Sequence, residues 1–201
     1  MDLKTMDYEP LYTKLDSYHQ MTSPLKAYLK VILREIILSD AQVIGKALWS
    51  DFPITFIHKG TLKTKLESKI EPGKSILLLH FEGLMLPQFL ETNLEDFDLR
   101  TSVIGGATLM GIPSGHIYNL YKLFPEFHKI IEKISLENCN KLFHLAFDIK
   151  NLKAEDRFAA LLEIHPNVFQ LASSIDIADS TGMHAHTLST LKGKYLSGGR
   201  G

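Results

Sequence analysis

The chain has 201 residues, of which 45% are hydrophobic and 22% charged, as in a globular protein with a substantial core. Its formal net charge of -1 excludes a strong overall positive field that would attract nucleic acid or anionic lipid. The one cysteine, Cys139, excludes an intramolecular disulfide framework and a zinc site built from several thiolates.

Two absences in the sequence bear on where the protein works. No apolar run approaches the roughly 18 residues that a membrane-spanning helix needs. Residues 1–12 alternate acidic, basic and apolar side chains and lack the apolar segment of a signal peptide. We therefore expect a cytoplasmic protein with no membrane partner.

The N-terminal half changes from helical to strand-like periodicity. Apolar residues at steps of three and four between Leu25 and Ile37 predict a helix, or a helix leading into a strand. From about residue 42 to 112, short apolar runs are bounded by turn residues, which predicts a β-sandwich or roll. The runs are Ile54–Ile57, Ser75–Leu79 and Ser102–Ile104, with hairpin turns expected at 59–60 and 71–74.

A long helix is predicted after Pro125, because proline is well tolerated in a first helical turn. Its apolar seam recurs at three- and four-residue steps and contains one polar member. The seam residues are Phe127, Ile131, Ile134, Asn138, Leu142, Leu145 and Ile149. One interpretation is a helix packed on its own domain. The other is a dimer seam through Ile131, Ile134, Asn138, Leu142 and Leu145, in which the asparagine fixes the register.

The C-terminal segment has the pattern of a helical module. One helix is expected to end at His165-Pro166, and Ser173 is expected to begin another. Gly182 stands where a left-handed turn would close that second helix. The spacing of Ala178, Gly182 and the following Met183 predicts a helix-turn-helix, in which a small residue allows the two helices to cross closely. Ser180 and Thr181 stand at positions that are usually apolar, so we expect looser packing there.

These motifs resemble the Crp/Fnr family of transcription regulators. The C-terminal resemblance rests on Lys153-Ala154-Glu155-Asp156-Arg157-Phe158, Leu161-Leu162, Pro166, Ile177-Ala178, Gly182-Met183 and Thr187-Leu188-Ser189. Upstream, the resemblance rests on Phe56-Ile57-His58-Lys59-Gly60, Phe81-Glu82-Gly83 and Leu109-Met110-Gly111-Ile112. Together these segments cover nearly the whole chain from about Pro24.

The resemblance implies an α+β fold with three functional parts. Residues 1–123 would form a sensor domain like a cyclic nucleotide-binding domain, a double-stranded β-helix or jelly roll. Residues 124–151 would form a long dimerisation helix, and residues 152–196 a winged-helix-type helix-turn-helix. Residues 197–201 are expected to be a disordered tail. Double-stranded DNA, a second copy of the chain, a small-molecule effector and RNA polymerase are the implied partners.

The candidate ligand residues are Glu82, Gly83, Leu84, Arg100 and Thr101. Cyclic-nucleotide binders of the family carry a Gly-Glu pair that holds the ribose and a later Arg-Ser or Arg-Thr pair that holds the phosphate. Here Gly83 is followed by Leu84, and Arg100 lies closer to the last strand than the family's arginine does. We therefore expect no classical cyclic-nucleotide binding and no cofactor. The absence of a cysteine cluster excludes an iron–sulfur sensor.

The candidate DNA-binding residues are His184, His186, Thr187, Ser189, Thr190, Lys192 and Lys194. No arginine stands on this helix for the common contact to guanine. Acidic and basic residues balance from residue 152 onward, which predicts weak counterion release and weak DNA affinity. An alternative is therefore a sensor-fold protein that has lost DNA binding and acts through protein contacts.

Other patterns give no site. His184 and His186 are two residues apart and point to different faces of a helix, so we predict no metal site. Gly73-Lys74-Ser75 lacks the earlier glycine of a phosphate-binding loop. No nucleophile stands at a spacing that pairs it with a base and an orienting group, so we predict no enzymatic activity.

Overall fold

The computed structural model describes residues 7–87 and 95–198. The helices are α1 (Glu9–Tyr18), α2 (Ser23–Ile32), α3 (Lys46–Asp51), α4 (Ser114–Leu123), α5 (Pro125–Asn151), α6 (Ala154–Ile164), α7 (Val168–Leu171), α8 (Ser174–Ser180) and α9 (Ala185–Gly198). The strands are β1 (Arg34–Leu38), β2 (Val43–Ile44), β3 (Ile54–Ser68), β4 (Ser75–His80), β5 (Met85–Pro87) and β6 (Phe97–Ile112).

The strands form one antiparallel sheet in the order β1-β6-β3-β4, with β2 also on β6 and β5 also on β3. The α+β prediction is confirmed. The expectation of short strands is wrong for two of them, because β3 has 15 residues and β6 has 16, and they pair along almost their whole length. The hairpin turn expected at 71–74 joins β3 to β4 and is closed by Lys74 N–H donating to the Glu71 carbonyl.

The turn predicted at Lys59-Gly60 is instead an irregularity inside β3. The pairing of β3 with β6 shifts register between Ile57 and Lys59 and again between Gly60 and Thr61. Gly60 has a φ of 92°, which glycine adopts without strain. Its N–H donates to the Glu82 carboxylate at 3.0 Å, so Glu82 holds this bulge in place. A glycine in a strand pattern therefore marked a bulge.

Two cores lie on opposite faces of the sheet. Ile57, Leu62, Val103 and Leu109 fill the inside of the roll together with Trp49 from α3. The other face carries Phe56 and Met110 and is covered by α1, α2, α4 and the first half of α5. The helix predicted from Leu25 is α2, and it is followed directly by β1. Of the two alternatives predicted for this stretch, a helix leading into a strand is therefore the correct one.

The C-terminal helices have a third core of their own, built on Phe158, Leu162, Ile177, Ala178 and Leu188. The last helix runs to Gly198, so the tail predicted to be disordered from residue 197 begins with two helical residues. Tyr195 packs edge-on against Phe158 with ring centroids 6.2 Å apart, which ties the end of α9 to the module. The rest of that tail, residues 199–201, lies outside the described residues.

No helix within residues 7–87 and 95–198 is both long and apolar enough to cross a membrane.

Candidate functional site

The spacing that predicts a helix-turn-helix corresponds to α8, a turn at Gly182 and α9. The hydroxyl of Ser173 accepts from Asp176 N–H at 3.1 Å and begins α8. At the other end, Met183 N–H donates to the Ala178 carbonyl at 2.8 Å, and Gly182 has the left-handed φ of 63°. Ala178 is 1% exposed and Leu188 is fully buried, so a larger side chain at Ala178 would separate the two helices.

The two polar residues at the end of α8 do not loosen this packing. Ser180 and Thr181 are both buried. The Ser180 hydroxyl donates to the Ile177 carbonyl at 3.0 Å, and the Thr181 hydroxyl donates to the same carbonyl at 2.7 Å. The prediction of looser packing here is wrong, because both buried hydroxyls donate to the Ile177 carbonyl, which also accepts from Thr181 N–H at 3.1 Å.

The candidate DNA-binding residues lie on α9 and just before it, and most of them face solvent. The exposed ones are His184, His186, Ser189, Thr190 and Lys194. Thr187 is half-buried. Lys192 is also half-buried, and its ammonium lies 4.2 Å from the centre of the Phe169 ring. Lys192 is thus engaged within the module by a cation–π contact, a role that sequence spacing did not indicate.

Arg157 ties three segments together at the base of the module. Its guanidinium donates to the carbonyls of Leu152 at 2.6 Å, Gly182 at 3.2 Å and Ile149 at 3.4 Å. The end of α5, the start of α6 and the turn of the helix-turn-helix therefore share one cation. The sequence places Arg157 only in a motif, because partners up to 25 residues away leave no local pattern.

The module rests against the roll of the same chain. α8 lies beside β4, and Lys63 on β3 forms an ion pair with Asp176 at 2.8 Å. Leu79, Phe81 and Ile104 of the roll pack against the module's core. The Phe81 and His165 rings are tilted by 35° with centroids 4.0 Å apart, and burial is the main cause of the lowered pKa of His165.

The candidate ligand residues fall into two separate places. Glu82 and Gly83 line an open cavity of about 850 Å³ between α1 and the Phe56 face of the sheet. Its other lining residues are Asp7, Pro10, Thr13, Lys14, Ser17, Glu35, Phe56, His58, Lys59 and Thr108. Leu84 instead packs against the core inside the roll. The Nδ1 of His58, which lies in the bulge, is buried without a hydrogen-bond partner among the described residues.

Arg100 and Thr101 lie away from this cavity. Arg100 is exposed on β6 opposite Lys65. Thr101 is 3% exposed, and its hydroxyl is 2.9 Å from that of Thr64. Thr64 is in turn 2.9 Å from Nε2 of His80. The five predicted ligand residues therefore do not converge on one site.

His80 makes the stability of the roll sensitive to acid. Burial lowers the pKa of His80 to about 4, below the value near 6.5 of an unfolded chain. Because the unfolded state then binds the proton more tightly, this contribution is complete above about pH 6.5 and is lost as the pH falls toward 4. Between pH 7 and 5 we expect it to remove up to about 2 kcal/mol of the free energy of unfolding.

Urea unfolding of the wild type and of His80→Gln at both pH values measures that contribution. The glutamine amide keeps a hydrogen bond to Thr64 within reach but does not titrate. The wild type should lose more stability than the variant on acidification. Equal losses in the two proteins would contradict the assignment to His80.

The long helix α5 has two different halves. Ile131 and Ile134 are buried in the core beneath α1 and α2, and the Asn138 amide donates to the Met85 carbonyl at 3.2 Å. These three members of the predicted dimer seam therefore contact their own chain. Of the other two, Leu142 is 52% exposed and Leu145 is half-buried.

A second apolar line on α5 lies outside the seam predicted from the sequence. Leu136, Phe143 and Phe147 are 61%, 69% and 60% exposed. Steps of seven and four residues place them on one face, about a third of a turn from Leu142. The spacing alone signals this line, but the longer seam from Phe127 to Ile149 has more members and masked it.

Solved structures with low sequence identity share this architecture. A transcriptional regulator of the Crp/Fnr family from Eubacterium rectale matches with a TM-score of 0.64 at 12% identity, over 92% of this chain and 89% of that one. FixK2 from Bradyrhizobium japonicum matches with a TM-score of 0.66 at 14% identity, over 84% and 86%. The fold is that of the Crp/Fnr regulators. The c-di-GMP responsive global regulator CLP from Xanthomonas campestris also matches, with a TM-score of 0.57 at 12% identity, over 87% and 91%.

Two comparisons by sequence found no match. No protein-family model matches the chain, and no curated protein matches it either. Between 113 and 198 the described residues form no strand, so the wing that the resemblance implies stays a prediction. Among residues 7–87 and 95–198, no three His, Cys, Asp or Glu side chains are grouped to hold a metal ion.

Proposed function

We propose that the chain is a DNA-binding transcription regulator of the Crp/Fnr type, with α9 as its recognition helix. The observation that carries this proposal is a closely packed helix-turn-helix whose second helix is exposed, on a fold shared with solved Crp/Fnr regulators. In such motifs the N-terminal residues of the second helix reach base edges in the major groove. His184, His186, Ser189 and Thr190 stand in that position. No enzymatic activity is part of the proposal.

Recognition would be electrostatically weak. The charges of the module balance, no arginine stands on α9, and Lys192 is held over Phe169. Imidazole and hydroxyl groups would therefore carry base recognition, with Lys194 and Thr187 beside the phosphates. We expect a shallow dependence of affinity on salt concentration, because few counterions are released.

A homodimer supplies a second set of DNA contacts, which a recognition helix of low affinity needs. The exposed line of Leu136, Phe143 and Phe147 on α5 is the surface that we assign to it. Two copies paired along α5 would present two recognition helices to successive major grooves. The assignment moves the dimer contact away from Ile131 and Ile134, which the chain's own core occupies.

The roll is proposed to sense a small molecule other than a cyclic nucleotide. Leu84 takes the place of the ribose-binding glutamate, and Thr101 is sealed against Thr64. The cavity beside Glu82 and Gly83 is the space that we assign to this effector. Contact with RNA polymerase is a further part of the proposal, by analogy with the fold.

Selection of binding sites from random duplexes tests the proposal. We expect enrichment of a two-fold symmetric site whose half-sites lie about one helical turn apart. On that duplex, His186→Ala with Thr190→Ala should weaken binding by about a hundredfold, at about 1 to 3 kcal/mol for each lost base contact. His128→Ala, which removes an imidazole from α5, is the control and should bind as the wild type does.

A second candidate function is favoured by the balanced charge and the engaged Lys192: a regulator-fold protein that acts through protein contacts. It predicts that no duplex is enriched and that residual binding has no sequence preference. Specific binding at nanomolar concentration would exclude it.

A further inference from the structure

The helix-turn-helix module is connected to the long helix by a joint of two residues, Leu152 and Lys153. α5 ends at Asn151, α6 begins at Ala154, and both residues of the joint have extended backbone. Changes in the backbone angles of a few residues at the end of an element are enough to redirect a whole domain. The direction in which the module leaves α5 therefore depends on contacts that span the joint.

Arg157 spans the joint with its guanidinium. It donates to the Leu152 carbonyl at 2.6 Å and to the Gly182 carbonyl at 3.2 Å. The first carbonyl directly follows the C-terminal end of α5, and the second lies just beyond the C-terminal end of α8. Because helices carry partial negative charge at their C-terminal ends, a cation placed between two such ends is attracted to both.

An apolar contact closes the joint at a second point. A Cβ added to Gly182 would lie 3.1 Å from Cγ2 of Ile149, so the turn of the helix-turn-helix lies directly against the last turn of α5. A single contact would leave the module free to rotate about it, whereas two contacts and the chain connection define one orientation. Because α9 begins at Ala185, three residues after Gly182, the orientation of the turn is also that of the recognition helix.

We propose that Arg157 is a positioning residue that sets the half-site spacing which the protein requires. It acts through the turn at Gly182, where it fixes the angle between α5 and α9. This inference rests on the proposed function, in which two copies pair along α5 and each presents one recognition helix. In such a dimer the two recognition helices are connected through the α5 pair and both joints, so the rigidity of the joints decides how strictly one spacing is required.

A rigid joint and a flexible joint give different dependences on spacing. One base pair added between the half-sites moves them by about 3.4 Å along the duplex and by roughly 35° around it. Recognition helices in a fixed orientation do not engage both displaced half-sites at once, and the gain from linked binding is then lost. A flexible joint follows the displacement but lowers the effective concentration of the second helix at the original spacing.

Arg157→Met, which keeps an unbranched side chain and removes every donor, tests the proposal. We expect the wild type to prefer the selected duplex by about tenfold or more over duplexes one base pair longer or shorter. Arg157→Met should reduce that preference to about twofold or less, mainly through weaker binding at the selected spacing. Both proteins should bind a duplex with a single half-site equally, because α9 itself is unchanged.

Arg34→Met is the matched control. The Arg34 guanidinium also donates to carbonyls at the C-terminal end of a helix, those of Val31 and Leu33 at the end of α2. These acceptors belong to its own segment, so Arg34→Met removes the same charge and the same kind of contact without affecting the joint. It should keep the spacing preference of the wild type.

Trypsin cleavage after Lys153 gives a readout that needs no DNA. Lys153 is exposed in extended backbone at the joint, and cleavage follows the fraction of molecules in which the joint is open. We expect cleavage at Lys153 to be about fivefold faster in Arg157→Met than in Arg34→Met. Cooperative urea unfolding establishes that both variants are folded, and equal rates of cleavage would overturn the proposal.

The outcomes separate this inference from the proposed function. If the wild type enriches no two-fold symmetric duplex, the proposed function fails, and the role of Arg157 in spacing fails with it. If the wild type discriminates between spacings and Arg157→Met does so equally well, contact with the roll through Lys63 and Asp176 is enough to hold the module, and only the role of Arg157 fails. Loss of single half-site binding in Arg157→Met would also overturn that role, because Arg157 would then hold the helix-turn-helix itself together.

Discussion

Phe143→Glu combined with Phe147→Glu is expected to leave the chain monomeric and to weaken binding to the selected duplex by about a hundredfold. Both rings are more than half exposed on one face of α5. A buried aromatic side chain contributes about 150–250 Å² to an interface, and a charge placed there would be desolvated. Loss of the second recognition helix removes the gain from linked binding, which reaches about 100-fold or more.

Sedimentation and duplex titration of the same samples measure both effects. Val31→Glu with Ile37→Glu is the control, because these residues are 73% and 77% exposed on α2 and β1 and receive the same charge. The control should remain dimeric. A dimer that survives the α5 variant but dissociates on Leu142→Glu would return the interface to the face predicted from the sequence seam.

Local constraints explain why the module was predictable. Ala178 must be small, Gly182 must adopt a left-handed φ, and Ser173 must cap α8 within four residues of chain. Each requirement selects a residue type at a fixed spacing, so the pattern is visible in the sequence. The same is true of Pro125, which begins α5 where proline is tolerated.

Contacts between distant segments explain what was missed. Lys63 and Asp176 are 113 residues apart, and nothing near either one indicates the other. The seam on α5 has a buried part and an exposed part for the same reason. Whether Ile134 faces its own chain or a second copy depends on where α1 and α2 lie. Periodicity shows that a helix has an apolar face but not what covers it.

The candidate ligand residues show the same limit. The motif predicts Glu82 as a ligand residue, and Glu82 lines the cavity, but it also holds the bulge by accepting from Gly60 N–H. The Arg100-Thr101 dipeptide predicts Thr101 as a ligand residue, but its side chain is buried inside the roll against Thr64. A motif states which residue types follow one another, whereas pairing register decides which face each side chain takes.

Gly60→Ala is expected to lower the free energy of unfolding by about 3 kcal/mol, the sum of a conformational and a steric cost. Gly60 has a φ of 92°, where an added Cβ costs about 1–2 kcal/mol. A Cβ at this position would also lie within 2.3 Å of the Gly106 carbonyl oxygen, and overpacking of this kind typically costs about 1–3 kcal/mol. Because the obstacle is backbone, β3 and β6 must separate at the bulge.

Gly83→Ala separates the two causes. Gly83 has nearly the same φ, 83°, but a Cβ there would meet nothing within 4 Å. Gly83→Ala should therefore lower the free energy of unfolding by the conformational cost alone. The difference between the free energies of unfolding of the two variants, measured in urea, then gives the steric cost of the close approach of β3 and β6. Equal destabilisation would mean that the strands yield freely at Gly60. The bulge that places His58 and receives the Glu82 carboxylate would then be a flexible feature of the roll and not a fixed one.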